Sequence, residues 1–272
     1  MTHHLPAWAP DDVDIETPSA ARMYDYFLDG SHNFAADRAL AEQYIKVLPE
    51  IRNISRANRL YLQRAVRTLA AAGVDQFLDL GSGMPTVGNV HEVARSINPA
   101  SRVVYVDADP VTVAHGRAIL ASEPNADYLH ADLSNPDQVL ASPEVTAHID
   151  FSRPVGLLMV AVLHFVPDTD DPAGIIAQYR DATTSGSYLA ISHATDDYDP
   201  KTMKQATGVY TRASHAMNFR SRAQVQALFN GYEILPPGLV DVINWRPEPG
   251  DPDPYNGDFT RYSLLTAVAR RP

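Results

Sequence analysis

The chain has 272 residues, 45% of them hydrophobic, with no cysteine and a formal net charge of −11. That length suits one large domain or one domain with an appendage. The lack of cysteine excludes disulfides and thiolate metal sites, and the acidic balance argues against nucleic acid as a partner, since such binding rests on clustered Lys and Arg.

Residues 1–18, rich in Pro and Asp, read as an N-terminal arm. Met1–Pro10 has no cationic-then-apolar pattern, so a signal peptide is not expected and the cytoplasm is the expected compartment. From Ser19 the pattern is helical and aromatic: Met23, Tyr24, Phe27 and Leu28 recur at helical spacing up to a break at Asp29-Gly30-Ser31. A second helix is predicted over Ala35–Val47, stopped by Pro49, and a third over Ser55–Ala72, with Leu62, Val66 and Leu69 on one face and Gly73 as its stop. Residues 19–73 thus form a helical extension ahead of the main domain, 74–272.

That domain opens with a strand, Gln76–Leu80, a turn, Gly81-Ser82-Gly83-Met84-Pro85-Thr86, and a helix. A second strand, Arg102–Val106, ends in Asp107-Ala108-Asp109, and Pro110 starts the next helix as a first-turn proline does. Ala126–Leu133 is strand three. Pro154–Phe165 is a nearly continuous apolar run, as expected of a central parallel strand. It is too short for the roughly 18–20 residues of a membrane span, so no membrane partner is expected. A helix over Pro172–Ala182, strand five at Tyr188–Ser192 and helices over Pro200–His215 and Ser221–Phe229 follow. The last two strands, Tyr232–Trp245 and Arg261–Ala269, have no helix between them and should be antiparallel. The loop joining them contains Asp251-Pro252-Asp253-Pro254-Tyr255, read as a plain loop. The expected fold is α/β: a doubly wound seven-stranded sheet, mostly parallel with an antiparallel last strand, behind an N-terminal helical extension.

The turn after strand one selects a ligand class. A dinucleotide fingerprint would place a third glycine at Thr86, and none is there. A pyrophosphate needs that close backbone approach and a helix N-terminus aimed at it. S-adenosylmethionine has no phosphate, so Gly81 and Gly83, with Ser82 between them, suffice. Its sulfonium and ammonium outweigh its carboxylate and suit Asp79. Asp107, followed by Ala108, is placed for the two ribose hydroxyls, Asp109 for capping the next helix, and Asp132, with Leu133 as neighbour, for the adenine amino group. Without a ligand, the same residues read as a strand-to-helix turn, a helix cap and a surface acid.

His164, expected at the end of strand four, is the candidate general base; a packed histidine is the rival reading. His193 ends strand five toward the same crevice. Neither His3 with His4 nor His164 with His193 has carboxylates at a metal spacing, so no metal is expected. In the extension, Tyr24, Tyr26, His32 and Asn33 supply more polar tips than a core helix needs. Ser19–Val47 therefore reads either as a lid hinged at Gly30 or as plain packing, with Arg22 or Arg59 free to pair with the cofactor carboxylate. Arg52, Arg56 and Arg59 share one helix face, which leaves an anionic acceptor open.

From Pro18 onward the chain resembles the bacterial family of S-adenosyl methyltransferases that combines an N-terminal Pro-Ser-Ala-Ala-Arg-Met-Tyr-Asp-Tyr segment with a glycine turn ending in Pro-Thr. The matching stretches are Pro18–Phe27, Asp29-Gly30, Asn33–Arg38, Arg56–Arg59, Phe77–Thr86, Asn89–Glu92, Val104–Pro110, Ala161–Pro167 and Ser192–Thr195. The resemblance implies a Rossmann-like fold and S-adenosylmethionine as cofactor, and no particular acceptor. The leading reading is a methyltransferase acting on a small molecule. A cofactor-binding regulatory protein without turnover, or a nucleotide-dependent oxidoreductase, is the alternative.

Overall fold

In the computed structural model, which describes residues 14–85 and 88–272, three helices precede the first strand: α1 (Ala20–Phe27), α2 (Ala35–Val47) and α3 (Ile51–Ala71). Most of the arm, His3 and His4, and Thr86 of the turn lie outside the described residues. The alternating segment runs β1 (Gln76–Leu80), α4 (Val90–Ile97), β2 (Arg102–Asp107), α5 (Pro110–Leu120), β3 (Ala126–His130), α6 (Pro136–Leu140), α7 (Pro143–His148), β4 (Gly156–Val160), α8 (Pro172–Ala182), β5 (Tyr188–Ala194), α9 (Pro200–Tyr210) and α10 (Arg222–Ala227). Two short strands, β6 (Glu233–Ile234) and β7 (Val240–Asp241), and the long β8 (Leu264–Arg270) complete it. Helices α5 to α9 all open on proline. Asp109, Ser142, Asp171 and Asp199 accept an amide N–H as side-chain caps for four of them. The prolines thus punctuate helix starts, where a missing N–H costs nothing.

The sheet order is β3-β2-β1-β4-β5-β8-β6, with β7 also paired to β8. β1 to β5 are parallel, and β8 inserts antiparallel beside β5. Period-two alternation sends Phe77, Val103, Leu158 and Ala190 to one face, under α3, α4 and α5. Leu78, Val104, Leu157 and Leu189 go to the other, under α7, α8 and α10. Strand order reverses between β1 and β4, so a crevice opens at their C-terminal ends.

Three expectations are corrected. The stretch 232–245 is not one strand but β6 and β7, both on β8; Pro236 and Pro237 between them have no amide hydrogen to give a ladder. Strand four stops at Val160, because Ala161 takes a positive φ of 57° and turns the chain into a 3₁₀ segment, Leu163–Phe165, that carries His164. Lastly, α3 is no appendage. Its Tyr61 hydroxyl lies 2.7 Å from the Ala267 carbonyl and 3.0 Å from that of Ile191, so this helix covers the sheet itself. A boundary at residue 73 cuts one core, shared by α1, α2, α3 and the sheet face. Among the described residues no helix is long and apolar enough to cross a membrane.

Candidate functional site

A cavity of about 660 Å³ lies over the C-terminal ends of β1 to β5, walled by α1, α2, α3 and α9. Its floor is the glycine turn. Gly81 and Gly83 have φ of +73° and +66°, where an L side chain is strained, and a Cβ on Gly81 would stand 2.1 Å from Val162 Cγ2. Gly81→Ala should therefore cost roughly 2–4 kcal/mol in stability, from the left-handed backbone plus overpacking. Urea denaturation measures it, and an unchanged midpoint would show that the turn is free to adjust. Ser82 turns inward, its Oγ against the Tyr128 hydroxyl, which donates to the Gly83 carbonyl at 2.9 Å.

Asp107 clamps this turn. Its Oδ2 accepts from Gly83 N–H at 2.8 Å and its Oδ1 from Asp109 N–H at 2.9 Å, each oxygen keeping a lone pair for a further donor. Burial pushes its carboxyl up to about 6 against the lowering by those amides. Asp79, only 4% exposed, has its carboxyl pushed up to about 7, by burial first; Arg59 opposes the shift and Asp107 adds to it. No hydrogen bond reaches the Asp79 side chain among the described residues. Arg59, whose charge acts on both Asp79 and Tyr24, has its Nε buried without a partner. A buried carboxylate without a hydrogen bond and a guanidinium with an unpartnered Nε thus border the cavity, which is costly unless a ligand offsets them. Asp132 is exposed at the cavity edge with Oδ1 turned to the Ser134 N–H. Leu133 is buried beside it, and exposed Ala108 receives a contact from His130 Nε2 on its carbonyl.

The other sequence candidate for the carboxylate, Arg22, is spent. It is 3% exposed and bonds Asp37, Asp109 and the carbonyls of Asp14 and Thr17, tying the end of the arm to α1. Arg52 and Arg56 likewise meet at Asp29 on the surface. Gly30 has a packing reason of its own. A Cβ there would lie 2.0 Å from Asp25 Oδ1, and Asp25 Oδ2 holds the His32 N–H and the Asn33 amide, so the glycine lets the chain wrap a buried carboxylate. Tyr26, His32, Asn33 and Phe34 lie outside the cavity lining. Tyr24 does line it, held by a relay that sequence reasoning missed. Ala161 N–H donates to Ser192 Oγ, Ser192 to Asn58 Oδ1, Asn58 Nδ2 to Tyr24, and Tyr24 to the Ser55 carbonyl. Asn58 and Ser192 sit in two of the stretches that carry the family resemblance, yet their pairing spans 134 residues and has no local signal.

His164 does not fit a general base. Its Nδ1 packs 3.5 Å from the Ala194 N–H at the end of β5. Burial, then His193 and Arg220, hold its basicity well below the usual imidazole range. His193 is likewise internal: Nδ1 donates to the Ala194 carbonyl and Nε2 accepts from Arg220, with burial lowering it to about 4. Arg220 in turn binds the carbonyls of Leu163 and Val166 and the Asp168 carboxylate, and so shapes the turn after β4. Away from the sheet the cavity becomes aromatic. Phe27 and Tyr44 rings are 5.8 Å apart, Tyr44 and Tyr210 meet edge-on at 4.9 Å, and Tyr210 and Phe165 lie at 5.6 Å. Tyr44, Phe165 and Tyr210 were not singled out from sequence, because aromatic residues at helical spacing read as core.

Residues 6–272 match a family model described as S-adenosyl methyltransferase. A crystal structure of a DUF574 family protein from Streptomyces avermitilis aligns with a TM-score of 0.91 and 37% identity, covering 95% of this chain and 99% of that one. A Thermobifida fusca protein whose methyltransferase description is provisional aligns with a TM-score of 0.90 and 39% identity over 98% of this chain and 99% of its own. No curated protein matches.

Proposed function

The chain belongs to the S-adenosyl methyltransferase family, and from that premise we propose that its acceptor is a small molecule and that the residues over the sheet's C-terminal edge hold the cofactor. It is an S-adenosylmethionine-dependent methyltransferase; the oxidoreductase alternative gives way to this assignment. The observation that carries the acceptor reading is a cavity with an acidic end and an aromatic end, of a size usual for small-molecule sites (roughly 300–1,000 Å³). The unsatisfied groups fit the cofactor. Asp79 would take the ammonium, the Arg59 guanidinium the carboxylate, and Asp107 the ribose diol through its spare lone pairs, while Tyr24, whose hydroxyl proton goes to the Ser55 carbonyl, would line that end with its ring. Gly81, Ser82 and Gly83 lie along it, with Ala108, Asp132 and Leu133 on the adenine side.

The cofactor supplies a methyl group on a sulfonium, already a good leaving group, so the protein's work is alignment and exclusion of water. Tyr24, fixed by its relay, and the aromatic walls do that work, and His164 serves as a wall. A net charge of −11 favours a diffusible acceptor over nucleic acid or an anionic membrane surface, and the same reading has the enzyme in the cytoplasm. Turnover of methyl-labelled cofactor with a small-molecule extract tests the acceptor. Label found only in macromolecules would overturn the reading.

Asp79 gives the site a pH signature. A carboxyl raised to about 7 is largely neutral at pH 6 and cannot pair with an ammonium. In the free protein its folded value lies above the unfolded one, so ionisation costs stability as pH rises between the two. Bound ammonium offsets that cost. Affinity for S-adenosylhomocysteine should fall about tenfold from pH 8 to pH 6 by calorimetry, with protons released on binding. Equal affinity at both would remove Asp79 from the ammonium role.

A further inference from the structure

The lining of the cavity also selects the chemistry of the acceptor, provided the cofactor sits in the site proposed above. The charged side chains that line the cavity come from α1, from α3, from the ends of β1, β2 and β3, and from the segments at Asp14 and Asp170. Helices α2 and α9 contribute Tyr44, Met203 and Tyr210, and no charged lining side chain. Leu48, Phe165, Met217 and Phe219 continue that wall. The lining cations are committed elsewhere, Arg22 to Asp37 and Asp109, and Arg59 to the cofactor carboxylate on the reading above; Arg220, outside the lining, is held by Asp168 and two carbonyls. A carboxylate or phosphate on the acceptor would be buried here with no cation to pair with, a cost of several kcal/mol.

Among the described residues, Tyr210 gives this wall an unpaired hydroxyl, as Ser55 and Tyr262 do elsewhere in the lining. Tyr210 is 4% exposed, lines the cavity, and its hydroxyl has no hydrogen-bond partner among the described residues, whereas the Tyr44 hydroxyl rests on Met217 Sδ at 3.6 Å. Burial, with Tyr44 and Tyr24 nearby, pushes the Tyr210 phenol well above its ordinary value, so it stays a neutral hydroxyl. Tyr210, backed edge-on by Tyr44 and tilted against Phe165, forms an aromatic wall suited to a flat aromatic guest. We infer that the acceptor is an uncharged planar aromatic molecule that packs against Tyr44, Phe165 and Tyr210 and hydrogen-bonds the Tyr210 hydroxyl.

The test uses the full chain saturated with S-adenosylhomocysteine, and calorimetry with four probes: 2-naphthol, its saturated analogue decahydro-2-naphthol, 2-naphthoate and N-methylquinolinium. 2-Naphthol should bind at least tenfold more tightly than each of the other three. Tyr210→Phe, which keeps the ring and removes the hydroxyl, should weaken 2-naphthol about tenfold, while binding of S-adenosylhomocysteine reports that the variant is folded. No binding of S-adenosylhomocysteine to the unaltered protein would defeat the proposed cofactor site. If it binds, tighter binding of naphthoate or N-methylquinolinium overturns the uncharged acceptor, and equal binding of the saturated analogue overturns planarity. No binding of 2-naphthol overturns the inference outright, and an unchanged Tyr210→Phe removes the hydroxyl from recognition.

Discussion

Arg22→Met should destabilise the protein by about 3–5 kcal/mol, the range for removing one partner of a buried ion pair. Arg22 is 3% exposed, and its guanidinium meets Asp37 Oδ2 at 2.9 Å, Asp109 Oδ2 at 3.1 Å, and the carbonyls of Thr17 and Asp14 at 2.7 and 3.2 Å. Methionine fills much of the volume and answers none of these. Asp37, fully buried, would keep only the amide donors Ser19 N–H and Phe34 N–H, and Asp109 would keep the Thr112 N–H it caps. Arg22→Lys should recover little, since an ammonium cannot reproduce a planar fork that serves four acceptors. Urea denaturation at neutral pH measures the loss. A change below about 1 kcal/mol would mean that the carboxylates find water or other donors. The consequence for function is indirect: Arg22 joins the arm, α1, α2 and the start of α5, so cofactor affinity should fall with it although its guanidinium is committed within the protein.

The second large effect lies in the site. Asp107→Ala should weaken S-adenosylhomocysteine binding by more than about a hundredfold, from charge-assisted hydrogen bonds of roughly 1.5–3 kcal/mol each. Two losses would combine: the proposed ribose contacts, and the clamp on Gly83 N–H that holds the glycine turn against β2. Asp107→Asn separates them. Its one carbonyl oxygen can keep one of the two amides, so the turn is partly retained while the negative charge goes, and an intermediate loss is expected. Because burial raises the Asp107 carboxyl to about 6, the comparison belongs at pH 8, where the group is ionised. Unchanged calorimetric affinity in a folded Asp107→Ala protein would remove Asp107 from the ribose role.

Much of the framework was legible from local pattern. Short apolar runs between turns and helix starts pointed to β1 to β5, and Pro110 and Pro172 marked helix starts. The strand ends carrying Gly81, Asp107 and Asp132 do meet at one cavity. What escaped was set by contacts between distant residues. Strand four was read to Phe165, because nothing in Ala161-Val162-Leu163 announces that Ala161 adopts positive φ. His164 moved with that turn, out of the role of base and into a buried cluster with His193 and Arg220.

The division has a physical cause. Strand and helix periodicity, glycine turns and N1 prolines act through neighbours in the chain, so this sequence by itself determines a doubly wound sheet, a cofactor crevice and a methyl donor rather than a dinucleotide. Which charges remain free is a property of packing. Arg22 and Arg59 are equivalent candidates in the sequence, but an aspartate 87 residues away consumes part of the first, while the Nε of the second is left buried and unpaired beside Asp79. Gly30 reads as a hinge in the sequence; that Asp25 fills the space its missing side chain leaves is seen only after folding. Tyr44 and Tyr210 read as core until α2 and α9 pack so that both line a cavity. Only the tertiary structure decides these, because the energy of a buried ion pair, a close approach or an aromatic wall depends on which partners folding brings within a few ångströms.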